Sequence, residues 1–463
     1  MSFSETLSRW IQKCETVLEA PPVRKAFWLV VGAVFIIMGV VTVFRAEVPK
    51  FKKVEHLHYN SPVEIAEGED DQAVWRSSEF RGFRQIAWGV VMEGRDPYLL
   101  DPAKGLDHVR AYAPFFGLAF FPFAVGWQIP GLGSGLFYAI GFLFAILSAW
   151  YASRWVDDQP RFGRFALLVI LTLPLSLNVM ARCESDMYVV FPIALAFFWI
   201  MRGRRQFSAG ALLGFAACFK VLPGLFGLYL ICTRQWRALA GMCAAGVLLM
   251  VILPLAVWGP QRTTDLYKSW ANVVVGPYFK GGATTFIGSA YRSSNQSLAS
   301  TVHRFFSVPS RGTSKGSQSL RLASFSPQSV SRVVKVLMLA VILWLIALWA
   351  YRGGDKDART RAALMATVPV GILLLSEVSL TTHHVTLLLV LATILVRIET
   401  FADAQAKWWG WLLPAWLVAI IVTAVAKPVS PYFFLTVAML IGASALALRS
   451  QPGPAPLADK ASS

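Results

Sequence analysis

Apolar residues gather into long runs along the chain, with basic stretches between them. The runs cover 27–44, 112–128, 134–153, 164–181, 186–201, 208–219 with 221–233, 238–258, 333–351, 362–377, 383–397, 408–426 and 430–448. About 20 mainly apolar residues form a helix long enough to cross roughly 30 Å of hydrocarbon. The pattern therefore predicts an all-α polytopic membrane protein. The run 27–44 reads as a first crossing rather than a cleaved signal, because its charged leader is long and no small-residue cleavage site follows.

Charge orients the crossings. Short basic loops are Arg154 to Arg164, Arg202-Gly203-Arg204-Arg205, Arg234-Gln235-Trp236-Arg237 and Arg352 to Arg361. The rule that short basic loops stay inside places all four in the cytoplasm, together with Arg9, Lys13, Arg24 and Lys25. Parity then requires that 112–128, which holds Pro114 and Pro122, not cross; it reads as an interfacial or re-entrant helix on the outer side. The pair 208–219 and 221–233 reads as a helical hairpin with Lys220-Val221-Leu222-Pro223 at its tip. The result is about twelve crossings with both termini inside: a cytoplasmic segment 1–26, a transmembrane domain 27–449 with outer loops 46–133 and 259–331, and a disordered tail 450–463. The two halves show no repeat of the kind many transporters carry.

Composition sharpens this. Apolar residues make up 56% and charged residues 15%, against about 25% charged in a soluble domain. A cytosolic enzyme, a disordered chain and a fibrous protein are excluded. The net charge of +17 could suit nucleic acid. Its placement in short loops between apolar runs favours the membrane reading instead. Five cysteines make no zinc or disulfide pattern. Cys218, Cys232 and Cys243 read as small buried hydrophobes.

Unusual polar residues fall on the outer side, although none of them was used to set the topology. A helical stretch runs from Ser78-Glu79 to Glu93-Gly94, with Phe80, Phe83, Ile86, Ala87, Val90 and Val91 on one face, as in a helix lying on the membrane. The turn Gly94-Arg95-Asp96-Pro97-Tyr98 follows. Later come Arg182-Cys183-Glu184-Ser185-Asp186, the hairpin Lys220, Tyr291-Arg292-Ser293-Ser294-Asn295-Gln296-Ser297-Leu298, and Ser376-Glu377 with His383-His384. Each has a plain reading beside the functional one. Glu79 suits a solvated helix start, Asp96 before proline suits a turn, and Glu184 and Asp186 suit loop partners of Arg182. Lys220 in an apolar run is harder to set aside, since an ionisable residue inside a membrane is a functional hypothesis by default. Adjacent histidines point to opposite sides of a helix, so a zinc pair is discounted. Asn295-Gln296-Ser297 also matches a short glycosylation pattern.

These motifs, in this order, resemble glycosyltransferase family 87, polyprenol-phosphate-sugar-dependent transferases of the GT-C superfamily. The resemblance spans roughly residues 27 to 400. It is carried by Glu79-Phe80-Arg81-Gly82-Phe83 leading to Gly94-Arg95-Asp96-Pro97-Tyr98, by Tyr112-Ala113-Pro114-Phe115, by Lys220-Val221-Leu222-Pro223, by Asn295-Gln296-Ser297-Leu298, and by Ser376 with His383-His384. The chain departs from the family pattern in having Glu79 where Asp is usual. It also has Cys183-Glu184-Ser185-Asp186 where Gly-Gln-x-Asn is usual.

The resemblance implies a GT-C-like fold and transfer of a sugar, mannose by preference, from a polyprenyl-phosphate donor to a lipid or glycan acceptor on the outer face of the plasma membrane. An acceptor hydroxyl needs a carboxylate base within hydrogen-bond reach. Glu79 is the expected base, with Glu184 or Asp186 next. Lys220, Arg292, His383 and His384 are expected at the donor phosphate. Asp96, Tyr98, Arg182, Glu184, Asp186, Tyr291, Asn295 and Gln296 are expected to bind substrate. Single displacement would invert the anomeric centre. No phosphate-cradling Gly-x-x-x-x-Gly-Lys loop is present, which favours a lipid donor over a nucleotide sugar. No metal, cofactor or nucleic acid is expected. The competing readings are a lipid-linked glycan ligase or polymerase with a diphosphate donor, a twelve-helix secondary transporter, and a non-enzymatic scaffold.

Overall fold

A computed structural model describes residues 3–47, 79–98, 112–125, 129, 131–155, 161–276, 295–307, 322–355, 357–376, 378–400, 406–425 and 430–449. The described residues are helical almost throughout. β-Structure among them is confined to two isolated bridges, Asn295 with Leu380 and Ser307 with Phe325. In chain order the helices are α1 (Phe3–Glu19), α2 (Pro21–Glu47), α3 (Glu79–Val91), α4 (Phe115–Val125), α5 (Leu132–Ala152), α6 (Phe162–Arg182), α7 (Asp186–Met201), α8 (Gln206–Phe219), α9 (Leu225–Cys232), α10 (Trp236–Val247), α11 (Leu253–Trp270), α12 (Leu298–Phe306), α13 (Pro327–Arg352), α14 (Ala358–Leu375), α15 (Leu388–Thr400), α16 (Ala406–Val425) and α17 (Pro431–Arg449). Five described helical segments are long and apolar enough to cross a membrane: Pro21–Val43, Leu132–Ala152, Phe162–Arg182, Trp236–Val273 and Pro327–Arg352. Exposed Leu29, Ile36, Val251, Ile252, Val336 and Leu339 on three of them suit lipid contact. The chain is a multi-pass membrane protein.

The basic loops converge on one end of the bundle. An Arg202 Nη donates to the Arg154 carbonyl at 2.6 Å, and an Arg361 Nη donates to the Ile200 carbonyl at 2.7 Å. Gly353 sits against the backbone of Thr233, leaving no room for a side chain. The amphipathic α1 docks at this same end. Glu15, buried, faces Arg161 and Arg164, and the Glu19 carboxylate caps α6 by accepting from Gly163 N–H at 2.8 Å.

From that end, α6 runs away, α7 returns, α8 runs away again and α9 returns. The segment from 206 to 232 is thus the expected hairpin, with Lys220 at its far tip. Close backbone approach sets its position against α10: a Cβ at Gly210 would fall on the Ala238 carbonyl, and one at Gly241 on the Phe207 carbonyl. α7 has 16 residues, about 24 Å at 1.5 Å per residue. α6, with 21 residues, is longer, about 31 Å, and the two meet in a turn at the end of the bundle away from the basic loops.

Two elements differ from the sequence pattern. The apolar face of α3 was expected against lipid. It is instead buried against protein: Phe80 packs on Phe120 and Phe137, and Phe83 on Tyr112 and Phe116. Periodicity identifies an apolar face but not whether lipid or protein covers it. α4 has 11 residues, about 16 Å, too short to cross, and it serves as that cover. The second difference is at 259–276. These residues were assigned to a loop, yet the helix continues through them, kinked at Gly259, whose φ is 76°. Polar Gln261, Arg262, Asp265 and Lys268 end the apolar run without ending the helix. Gln261 pairs with Asp265 one turn on, and an Arg262 Nη donates to the Val90 carbonyl, tying α11 to the last turn of α3.

Candidate functional site

The turn between α6 and α7 is the centre of the site. Cys183 N–H donates to Met180 O and Glu184 N–H to Val179 O, both at 3.0 Å. This is the pairing of a helix terminus closed by a left-handed residue. Cys183 is that residue, with φ 55° and ψ 38°. Ser185 then precedes α7, and Asp186 sits in its first turn, where a carboxylate complements the helix dipole. Arg182, Glu184 and Asp186 are thereby crowded onto one short corner.

The hairpin tip meets this corner. Lys220 is extended (φ −134°) and ends α8, while Pro223 lies in the single turn that follows. Its ammonium lies 2.7 Å from Asp186 Oδ1. His383 Nε2 approaches the other oxygen, Oδ2, at 3.9 Å. Arg182 Nε forms an ion pair with Glu184, 2.8 Å from Oε1. Glu184 and Asp186 are each only 3% exposed. Buried carboxylates are tolerated because each faces its own cation; removing either cation would leave an uncompensated buried charge. Arg182 is the most open of the group. The Tyr112 hydroxyl shares a hydrogen bond of 3.2 Å with Ser185 Oγ, and the Tyr98 hydroxyl donates to the Tyr112 carbonyl at 2.8 Å. On its other side Tyr112 lines a narrow apolar cleft with Ile86, Val90, Tyr98, Phe116 and Leu266.

His383 is carried by a scaffold built from distant segments. Asn295 Oδ1 accepts from Ser297 N–H at 3.1 Å and from Ser379 N–H at 2.9 Å, and Gln296 N–H donates to Ser379 O at 2.7 Å. Asn178 on α6 donates to Thr381 Oγ at 3.1 Å. An Arg304 Nη donates to Asn295 O and to Ser300 Oγ, both at 2.7 Å, and the other to Ser430 Oγ. Burial lowers the Arg304 pKa to about 10 and that of neighbouring His303 to about 4. Chain reversal in the short helical turn at His383–Leu387 sends the two histidines apart. His384 Nδ1 lies 3.0 Å from Leu380 O, and its ring packs on Tyr432.

The structure therefore brings Arg182, Glu184, Asp186, Lys220 and His383 together. His384 and Asn295 face the scaffold instead, and Gln296 joins it through its backbone N–H. Asp96 Oδ1 accepts from Tyr98 N–H at 2.8 Å in a side-chain turn. Tyr291, Arg292 and the Glu79 side chain lie outside the described residues, although the Glu79 backbone opens α3.

The family model described as Glycosyltransferase family 87 matches residues 111–377, more than half of the chain and every residue of the cluster except His383. The chain belongs to this family. It is also similar to a polyprenol-phosphate-mannose-dependent alpha-(1-2)-phosphatidylinositol mannoside mannosyltransferase of Mycolicibacterium smegmatis. The two are 27% identical over 329 residues, 66% of this chain and 66% of the relative, so the match spans just under two thirds of that protein. No solved structure matches the chain.

In this member of family 87, Cys183 occupies a left-handed position, one that glycine would adopt without strain. The same corner shows what the two extra carboxylates do. One takes up Arg182, the other Lys220 and His383. Glu184, Asp186 and His383 each offer a ligand atom within 4.8 Å of the others, so their spacing alone would suit a metal ion. The cations argue against one. Asp186 Oδ1 already holds an ammonium, and a divalent ion would have to displace Lys220 or stand beside it uncompensated. Tyr112, Ser185 and Asn178 were not singled out as site residues from the sequence. Ser185 had a signal, its place between two carboxylates; Tyr112 and Asn178 are tied in by contacts across 73 and 203 positions that no local pattern carries.

Proposed function

We propose that this chain transfers a sugar, mannose, from a polyprenyl-phosphate donor to a lipid or glycan acceptor, with inversion, at the outer face of the plasma membrane. The observation that carries the reading is the cluster of Lys220, Arg182 and His383 on two buried carboxylates at the end of the bundle opposite the basic loops. The inside rule for short basic loops turns that end outward. A lipid phosphate presented from the bilayer would meet these cations. The relative's name supplies the donor and a lipid-linked acceptor.

Glu79 acts as base in this reading. It lies one helical turn before Phe83, whose ring meets Tyr112, which in turn meets Ser185. Its carboxylate takes the proton of the acceptor hydroxyl as that oxygen attacks the anomeric carbon. The bond from that carbon to the phosphate oxygen breaks, and polyprenyl phosphate leaves with the electron pair. Lys220 and His383, with Arg292 from the second large loop, offset the charge that develops on it.

The test is transfer by purified protein in lipid, given radiolabelled polyprenyl-phosphate mannose and a membrane-lipid extract. Label should enter a new product from this donor and not from a nucleotide mannose. Label entering product from the nucleotide sugar alone would defeat the proposal. Solute uptake without transfer would favour a transporter.

A further inference from the structure

Asp186 stands between two elements that sequence separates widely. Oδ1 is 2.7 Å from Lys220 Nζ on the hairpin tip, and Oδ2 is 3.9 Å from His383 Nε2 on the turn after α14. Its side chain is 4% exposed, so it presents almost no surface to a ligand, while those of Lys220 and His383 are 19% and 24% exposed. A lysine side chain is flexible, and fixing it on binding carries an entropic cost. A carboxylate that already holds the ammonium removes part of that cost before the ligand arrives. An asparagine keeps the shape of this side chain but not its charge.

We infer that Asp186 is a positioning residue that pins the Lys220 ammonium and draws the His383 ring toward it, presetting the pair that meets the donor phosphate. It touches neither sugar nor acceptor. The inference rests on the reading of Lys220 and His383 as donor-phosphate groups and extends it to a buried residue behind them.

Two measurements on Asp186→Asn in lipid nanodiscs test it. The first is the rate of reductive methylation of Lys220 by formaldehyde and borohydride, followed by mass spectrometry, with exposed Lys268 and Lys335 as internal references. An amine released from its carboxylate should be labelled about tenfold faster, the references unchanged. Labelling of Lys220 at the wild-type rate would overturn the inference. The second is steady-state transfer. The donor KM should rise about tenfold, a loss of about 1.4 kcal/mol, with the acceptor KM unchanged. Asp186→Asn added to Lys220→Ala should cost less than Asp186→Asn alone, because one of the two groups that Asp186 positions is already gone. Additive losses would overturn it. Faster labelling with an unchanged donor KM would keep the ion pair but overturn its part in donor binding. Absence of any transfer by the wild type would defeat the functional reading, and labelling would still decide whether Asp186 holds Lys220.

Discussion

The Asn295 side-chain oxygen accepts a hydrogen bond from the Ser379 backbone at 2.9 Å, joining segments 84 positions apart. The same oxygen accepts from Ser297 N–H. Both donors are buried, so Asn295→Ala leaves them without this acceptor, at a cost of about 1–3 kcal/mol. The expected outcome is a lower melting temperature in detergent, with Asn295→Asp, which keeps an oxygen acceptor, losing less. A raised donor KM at unchanged melting temperature would instead make Asn295 a substrate ligand.

Cys183 adopts a left-handed conformation with its side chain buried. That conformation costs an L-residue about 1–2 kcal/mol, while glycine gives back part of the gain through unfolded-chain entropy. Cys183→Gly should therefore leave stability unchanged or raise it by less than about 1 kcal/mol. Cys183→Val, β-branched at a left-handed position, should lower stability by more than about 1 kcal/mol. Thermal unfolding of the two variants side by side checks the order.

His303 lies between Ser307 Oγ and Ser331 Oγ, and burial lowers its pKa from 6.5 to about 4. The unfolded chain takes up a proton near 6.5, whereas the folded protein resists until about 4. The unfolded state thus binds more protons across that window. Stability is complete above pH 6.5 and is lost as the pH falls toward 4, by at most about 3 kcal/mol. His303→Gln should flatten this part of the melting temperature against pH; an unchanged slope would assign it to other groups.

A chelator provides a test of the cluster's electrostatics. Because Lys220 and Arg182 already face Asp186 and Glu184, transfer should proceed at the same rate in excess EDTA. A rate that collapses and returns on adding a divalent cation would place a metal among Glu184, Asp186 and His383.

Much of the frame was legible from pattern alone. The apolar runs gave the helices, Gly94 with φ 71° closes the region after α3, and the basic loops meet at one end. The hairpin at Lys220 follows from two short apolar runs between basic flanks. The long-range partners were not legible. Nothing local tells that Lys220 and His383 converge on Asp186, or that Asn295 joins the segments at 297 and 379. Helical period and charge report on one element at a time, whereas these contacts depend on how α6, α8 and the loop after α14 pack. The apolar face of α3 illustrates the same limit, since its pattern is satisfied equally by lipid and by Phe116 and Phe120.

The most direct test of the central claim is the transfer assay run on wild type and Glu79→Gln side by side, with folding checked by melting temperature. The account predicts labelled product from polyprenyl-phosphate mannose with wild type and none above background with the folded variant. Product at the wild-type rate from Glu79→Gln would contradict the assignment of the base and move it to Glu184.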